Sequence, residues 1–304
     1  MSKTSIVIAC LIACTLCVRA QEKIDRKLNL KLQELVKGFQ GDVGIYVQHL
    51  KTGRIAQFNA DTIYPTASMI KVPIMLGVFD KIEKGELKYG EKLVYKDSLL
   101  YEGEDILGSF KDGEKITLSK VQMLSITTSD NTASLWLQKL VGGENINNWL
   151  EANGFSSTRI NSRTAGRQGD WRKYGWGQTT PREMATLVKM ILKGTAVSPA
   201  ASERMYRNMV RIYWDAEALS QIPPYVQAAS KQGALDRSRS EVVLVNAPHG
   251  DYVFCIITKN QKDTSWTPDN EGYRIIRGLS KLLWNYFEPQ SQWKPAAGVE
   301  KYSD

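Results

Sequence analysis

Ser68 and Lys71 stand three residues apart in Pro65-Thr66-Ala67-Ser68-Met69-Ile70-Lys71-Val72-Pro73-Ile74-Met75-Leu76, an apolar stretch that reads as a helix with the serine in its first turn. On a helix this spacing puts amine and hydroxyl one turn apart on one face, so Lys71 can take the proton that Ser68 must lose to act as a nucleophile. The unpaired N–H groups of a first turn, at the positive end of the helix dipole, suit an oxyanion forming beside that serine. The pair alone is weak evidence, because S-x-x-K is expected about once by chance in a chain of this length. Ser291-Gln292-Trp293-Lys294 repeats it in a tail between Pro289 and Pro295, where no stable helix is expected.

Two other clusters carry chemistry: Ser129-Asp130-Asn131 at a break between two helical runs, and Lys231-Gln232-Gly233 in a strand-like run. Taken alone, the first reads as a helix cap. Lys51-Thr52-Gly53 looks similar to the second but reads as a glycine-favoured hairpin turn. The chain has only two histidines, His49 in a strand-like run and His249 in the turn Pro248-His249-Gly250, neither placed as a catalytic base. A serine nucleophile here therefore uses another base, and no His/Cys set for a zinc site exists; no metal or cofactor is implied.

The first twenty residues read as a secretory signal: an early lysine, the apolar run Ile6 to Cys17, then Val18-Arg19-Ala20 before Gln21. The run is too short to span a bilayer. An alternative is lipidation at Cys14 after Leu11-Ile12-Ala13, which tethers the enzyme. Both place the chain outside the cytoplasm, in the periplasm or secreted. Removing the signal leaves Cys255 as the one cysteine, so no internal disulfide forms and a core within about 280 residues must hold the fold. Cys255, in an apolar run, is expected as a small buried hydrophobe. The formal charge of +8 becomes +6 once Lys3 and Arg19 leave. The remaining basic residues interleave with acidic ones, which reads as a solvated surface and not a nucleic-acid site. A monomer is expected.

The elements that must position these residues follow from periodicity. Residues 24–39 read as an amphipathic helix, then Val43, Ile45 and Val47 alternate into a hairpin with Ile55 and Phe58. After the Ser68 helix a polar connection, Tyr89 to Lys115, contains Tyr101-Glu102-Gly103-Glu104 and has the length of a site wall. Helices follow from Thr117-Leu118, through Ala133 to Leu140, and around Trp149-Leu150. Residues 159–180 lose all apolar period and read as an irregular loop, whose Trp171, Tyr174 and Trp176 either line a substrate channel or, the favoured reading, pack the loop. Thr180-Pro181 caps a helix to Leu192, and another runs from Pro199 to about Val210. Three strands, Ala229–Gly233, Val242–Asn246 and Tyr252–Thr258, and a helix Tyr273–Phe287 close the chain. The fold class is α/β of the α+β kind: a five-stranded antiparallel sheet flanked by terminal helices (about 21–66 and 226–287), an inserted all-helical subdomain (about 67–225), and a tail, 288–304.

In order and spacing, Ser68-x-x-Lys71, Ser129-Asp130-Asn131 and Lys231-Gln232-Gly233 resemble the S-x-x-K, S-D-N and K-T-G motifs of class A serine β-lactamases and penicillin-binding proteins. The resemblance covers about residues 25 to 287. It implies that Ser68 attacks an amide carbonyl, neutral Lys71 takes its proton and Ser129 relays a proton to the leaving nitrogen. It further implies an oxyanion between the N–H groups of Ser68 and Ala234, substrate binding by Asn131, Lys231, Gln232, Gly233 and Tyr101, and a β-lactam or cell-wall peptide as substrate. For Lys71 to act as base, burial and Lys231 must lower its pKa from about 10.4.

Two departures from the family pattern stand out. Gln232 replaces the threonine or serine whose hydroxyl helps hold a substrate carboxylate; its amide can donate, and Arg237 or Arg239 can supply charge. The glutamate expected two residues after Arg163, which activates the deacylating water, is absent. Asp170, the loop's one carboxylate, or Glu102 or Glu104 across the cleft, are the candidate replacements. Three readings follow: a β-lactamase or related amide or ester hydrolase with altered deacylation, a D,D-peptidase-like enzyme, or a sensor that acylates once and stops.

Overall fold

The computed structural model describes residues 22–101 and 105–299; the signal segment with Cys14, and Glu102 and Glu104, lie outside the described residues. The chain opens with β1 (Lys23–Ile24), α1 (Arg26–Val36), β2 (Asp42–His49), β3 (Arg54–Phe58) and β4 (Tyr64–Pro65), then enters α2 (Lys71–Glu83). Next come β5 (Lys92–Val94), β6 (Lys115–Thr117), α3 (Leu118–Thr127), α4 (Asn131–Val141), α5 (Gly143–Ala152), β7 (Arg159–Ile160), α6 (Gln168–Tyr174) and β8 (Gly177–Thr179). After α7 (Pro181–Leu192) and α8 (Pro199–Met209) the chain returns to strands, β9 (Ala228–Leu235), β10 (Ser238–Val245) and β11 (Tyr252–Lys259), and closes with α9 (Glu271–Phe287).

The main sheet has the order β1-β3-β2-β11-β10-β9. Its five long strands pair antiparallel as the alternation predicts, but a sixth is added: Lys23 and Ile24 pair in parallel with Arg54 and Ile55. Two residues are too few to show a period, and Asp25 then starts α1 by accepting the Leu28 N–H at 3.0 Å. The expected irregular loop at 159–180 is also more ordered than its sequence suggests, because β7, β8 and β4 form a small second sheet and α6 lies between them. The Tyr89–Lys115 connection is likewise pinned, by pairing of β5 with β6.

Apolar side chains cover the sheet on both faces. One face packs Val43, Ile45, Val243 and Phe254 against Leu28 and Leu32 of α1 and Ile276, Leu279 and Leu283 of α9. The other packs Val242, Leu244, Val253 and the free Cys255 against the helices, with Met184, Leu187 and Val188 of α7 in the same cluster. Each such side chain contributes about 1.5–3 kcal/mol on burial. The helix α2 runs through the middle of this second core, buried at every residue from Lys71 to Phe79, as expected of a helix apolar all round. Its Gly77 lets α5 approach: a Cβ there would stand 2.7 Å from Ile146 Cγ1. Among the described residues, no helix is long and apolar enough to cross a membrane.

Candidate active site

Ser68 is half-buried in a single 3-10 turn, Ala67–Ile70, that runs directly into α2. The tighter turn replaces the α-helical first turn expected from spacing, and Ala67 enters it with φ +44°. The strand β9 lies against this turn. At Gly233 a Cβ would come within 2.7 Å of Thr66 O and 2.8 Å of Ser68 N, both backbone atoms, so only glycine allows the strand so near the serine. Ala234 follows it, half-buried and paired with Arg239 of β10.

Lys71 begins α2 with no exposed surface. Its Nζ donates to Ser129 Oγ at 3.0 Å, to Asn131 Oδ1 at 2.8 Å and to the Ser129 carbonyl. Burial lowers its pKa to about 7, against the pull of Asp105 and Asp130. Desolvation of the charged amine, one of the two causes expected from the sequence, is thus the leading one. Ser129 holds a left-handed backbone, φ +60°, at the α3–α4 break, and Asp130 caps α4 by accepting the Ala133 N–H at 2.7 Å. Capping by Asp130 therefore fixes the turn that presents Ser129 and Asn131 to Lys71.

From the sheet side, Lys231 is equally buried and its Nζ reaches the same Ser129 Oγ at 3.1 Å. It also donates to the Gln232 carbonyl at 3.0 Å and to Gln232 Oε1 at 2.9 Å. Burial, then the neighbouring Lys71, hold its pKa well below the ordinary lysine range, and Glu241 opposes them. Ser129 Oγ accepts from two amines, which occupies both lone pairs and leaves its own hydrogen free to be given elsewhere. Arg237 and Arg239 do not serve this site. Arg237 donates to the carbonyls of Gln261 and Asn260, and Arg239 is fully buried between the rings of Trp266 and Tyr273.

Sequence reasoning missed Asp105. Its Oδ2 accepts the Thr132 N–H at 2.8 Å and the Thr132 hydroxyl at 3.1 Å, while Asp130 Oδ2 accepts the Leu107 N–H at 2.9 Å. Together they tie residues 105–107 to the start of α4. Tyr101, also bonded to Thr132, meets Trp176 edge-on at 5.2 Å. With Leu135, Asn161, Arg163, Ala165 and Trp171 these rings line a groove of about 460 Å³. Trp171 and Trp176 are thus wall residues and not only packing for the loop; Trp171 is 50% exposed. No carboxylate lines that groove among the described residues. Asp170 is paired with Arg167 at 2.9 Å, and Arg167 in turn donates to Asn161 Oδ1 and Gln178 Oε1.

Residues 27–287 match the model of the β-lactamase enzyme family. The chain belongs to this family. It is 25% identical over 273 residues to β-lactamase VEB-1 of Pseudomonas aeruginosa, covering 86% of this chain and 90% of that one. The structure of PBP-A superposes with a TM-score of 0.78 at 26% identity, covering 88% of this chain and 98% of that one, and so does a PBP-A variant solved as an acyl-enzyme complex with penicillin G. A β-lactamase of Chitinophaga pinensis shares the fold with a TM-score of 0.77 at 20% identity, covering 86% and 99%. The chain is thus a class A β-lactamase-like serine hydrolase. Against the family pattern, its three motif segments converge on Ser129 Oγ and on the turn that carries Ser68.

Proposed function

We propose that this chain opens the β-lactam amide by acylating Ser68, with Lys71 as base. The observation that carries the reading is the shared hydrogen-bond centre at Ser129 Oγ, reached by two buried amines of lowered pKa. With its pKa at about 7, a large fraction of Lys71 is a neutral amine near neutrality, which has a lone pair for the Ser68 proton. As the Ser68 Oγ–carbon bond forms, the carbonyl oxygen takes up negative charge, held by the N–H groups of Ser68 and Ala234. As the amide C–N bond breaks, Ser129 gives its hydrogen to the leaving nitrogen and regains one from Lys71. Asn131, Gln232, Gly233 and Tyr101 orient the acyl donor.

Deacylation is slow in this reading, because Ala165 stands where the family places its glutamate and no carboxylate lines the groove among the described residues. The same observation, with the likeness to PBP-A, favours a second reading in which a D,D-peptidase-like enzyme passes the acyl group to an amine. Asp170, Glu102 and Glu104 remain proposed bases for water. Export follows from the signal segment, to the periplasm or beyond the cell, free as a monomer or tethered at Cys14.

The test is intact mass over time after mixing with penicillin G, for the wild type and Ser68→Ala. A long-lived adduct on the wild type alone is expected. Hydrolysed drug accumulating with a fleeting adduct would make the chain a working β-lactamase with another base, and no adduct at all would refute β-lactam recognition.

A further inference from the structure

Lys231 has three N–H donors when charged, and three acceptors surround it: Ser129 Oγ at 3.1 Å, the Gln232 carbonyl at 3.0 Å and Gln232 Oε1 at 2.9 Å. The side chain of Gln232 therefore folds back and fills a donor position that an incoming anion would need. The other basic side chains of this hairpin are committed elsewhere. Arg239 gives its guanidinium to the carbonyls of Leu235, Ser238 and Ser265 beneath Trp266, and Arg237 binds the Gln261 and Asn260 carbonyls. Lys71 is likewise spent on Ser129 and Asn131.

A carboxylate arriving at the end of β9 meets an amide oxygen and a lysine with no donor to spare. Displacing Gln232 Oε1 from Lys231 costs one hydrogen bond to an amine that has no exposed surface. With its oxygen engaged by Lys231, Gln232 keeps its amide NH2 as two neutral donors, which suit a carbonyl oxygen. We infer that Gln232 sets the specificity of the site for acyl donors carrying a neutral hydrogen-bond acceptor, an ester or amide carbonyl, where a terminal carboxylate would otherwise bind.

This inference rests on acylation of Ser68, and the experiment separates the two. Adduct formation is timed by intact mass with penicillin G and with its methyl ester, which differ only in that carboxylate. The wild type is expected to react with the ester at least as fast as with the acid. Gln232→Thr, which frees a donor of Lys231, should shift the rate ratio about tenfold or more toward the acid, the effect of roughly one hydrogen bond to a charged group. Gln232→Glu keeps the size of the side chain but removes both amide donors and adds negative charge, so it should slow the acid more than the ester. A wild type that prefers the acid tenfold, or a ratio that neither variant moves, overturns the inference and leaves acylation standing. No adduct with either compound overturns acylation and the inference with it.

Discussion

Lys71 has no exposed surface and three acceptors around its Nζ, whereas Asp170, across the site in the loop that precedes α7, has a side chain 41% exposed and a single ion pair, to Arg167. The first region is built on α2, the capped start of α4 and the strand β9, elements held by core packing. The second is built on α6, a helix of seven residues none of which is buried. Perturbed acid–base groups need burial and fixed partners, and these are present on the Lys71 side. On the loop side the side chains bond to each other, through Arg167, Asn161 and Gln178. The fold therefore buries and fixes the Lys71 side and leaves the Asp170 side at the surface.

The largest expected effect comes from breaking the buried half. Lys71→Met keeps length and apolar packing but removes the base, and acylation should slow by about 10²–10⁴-fold. In the wild type the acylation rate should rise as pH passes through about 7, because the proton must leave Lys71 before it can accept one from Ser68. Stopped-flow acylation across pH checks both: the variant should lose that limb. A limb that survives the substitution would assign it to another group.

The next effect comes from repairing the other half. Ala165 is exposed and lines the groove beside Trp171 and Trp176. Ala165→Glu should shorten the lifetime of the penicillin adduct by about tenfold or more while leaving its formation rate nearly unchanged. Adduct decay followed by mass spectrometry reads this directly. An unchanged lifetime would mean that the loop fails to hold water in line, not merely that it lacks a carboxylate.

The same contrast explains what could be read from the sequence. Ser68, Lys71, Ser129, Asn131 and Lys231 were visible because each sits in a short motif whose spacing survives in any element that carries it. The five long strands and the helices with an apolar face were visible for the same reason: burial writes its period into the residues. The helix α6 was not, because nothing in it is buried and no stripe forms. Asp105 was hidden differently; its partner Thr132 is 27 positions away, and a lone aspartate in a polar connection carries no local mark. Gln232 was legible as a departure, but its fold-back onto Lys231 is a matter of side-chain geometry that spacing does not encode.

The smallest expected effect tests whether the perturbed electrostatics extend behind the sheet. Glu241 is buried in β10, with Oε1 accepting the Ser230 hydroxyl at 2.6 Å and Oε2 the Ala218 N–H at 2.9 Å. Lys231 of β9 and Cys255 of β11 are its neighbours across the sheet, and Glu217, paired with Arg277 of α9 at 2.8 Å, repels it from the segment before β9. Burial raises Glu241 to about 7 despite its two hydrogen bonds, and raises Glu217 to about 7 despite Arg277. An unfolded glutamate titrates near about 4.3. Between that pH and about 7 the folded chain holds more protons than the unfolded one, so the stability these groups contribute is full below the lower value and falls as pH rises to the upper. Lys71 works in the opposite sense: lowered to about 7, it makes stability rise with pH between about 7 and the free-lysine value. Urea unfolding midpoints should therefore decline from pH 5 to 7. In Glu241→Gln, which cannot ionise, that decline should be shallower, while the acylation limb set by Lys71 stays in place. An unaltered slope in the variant would show that Glu241 is charged throughout, held so by Lys231, and the two faces of the sheet would then form one coupled ion pair.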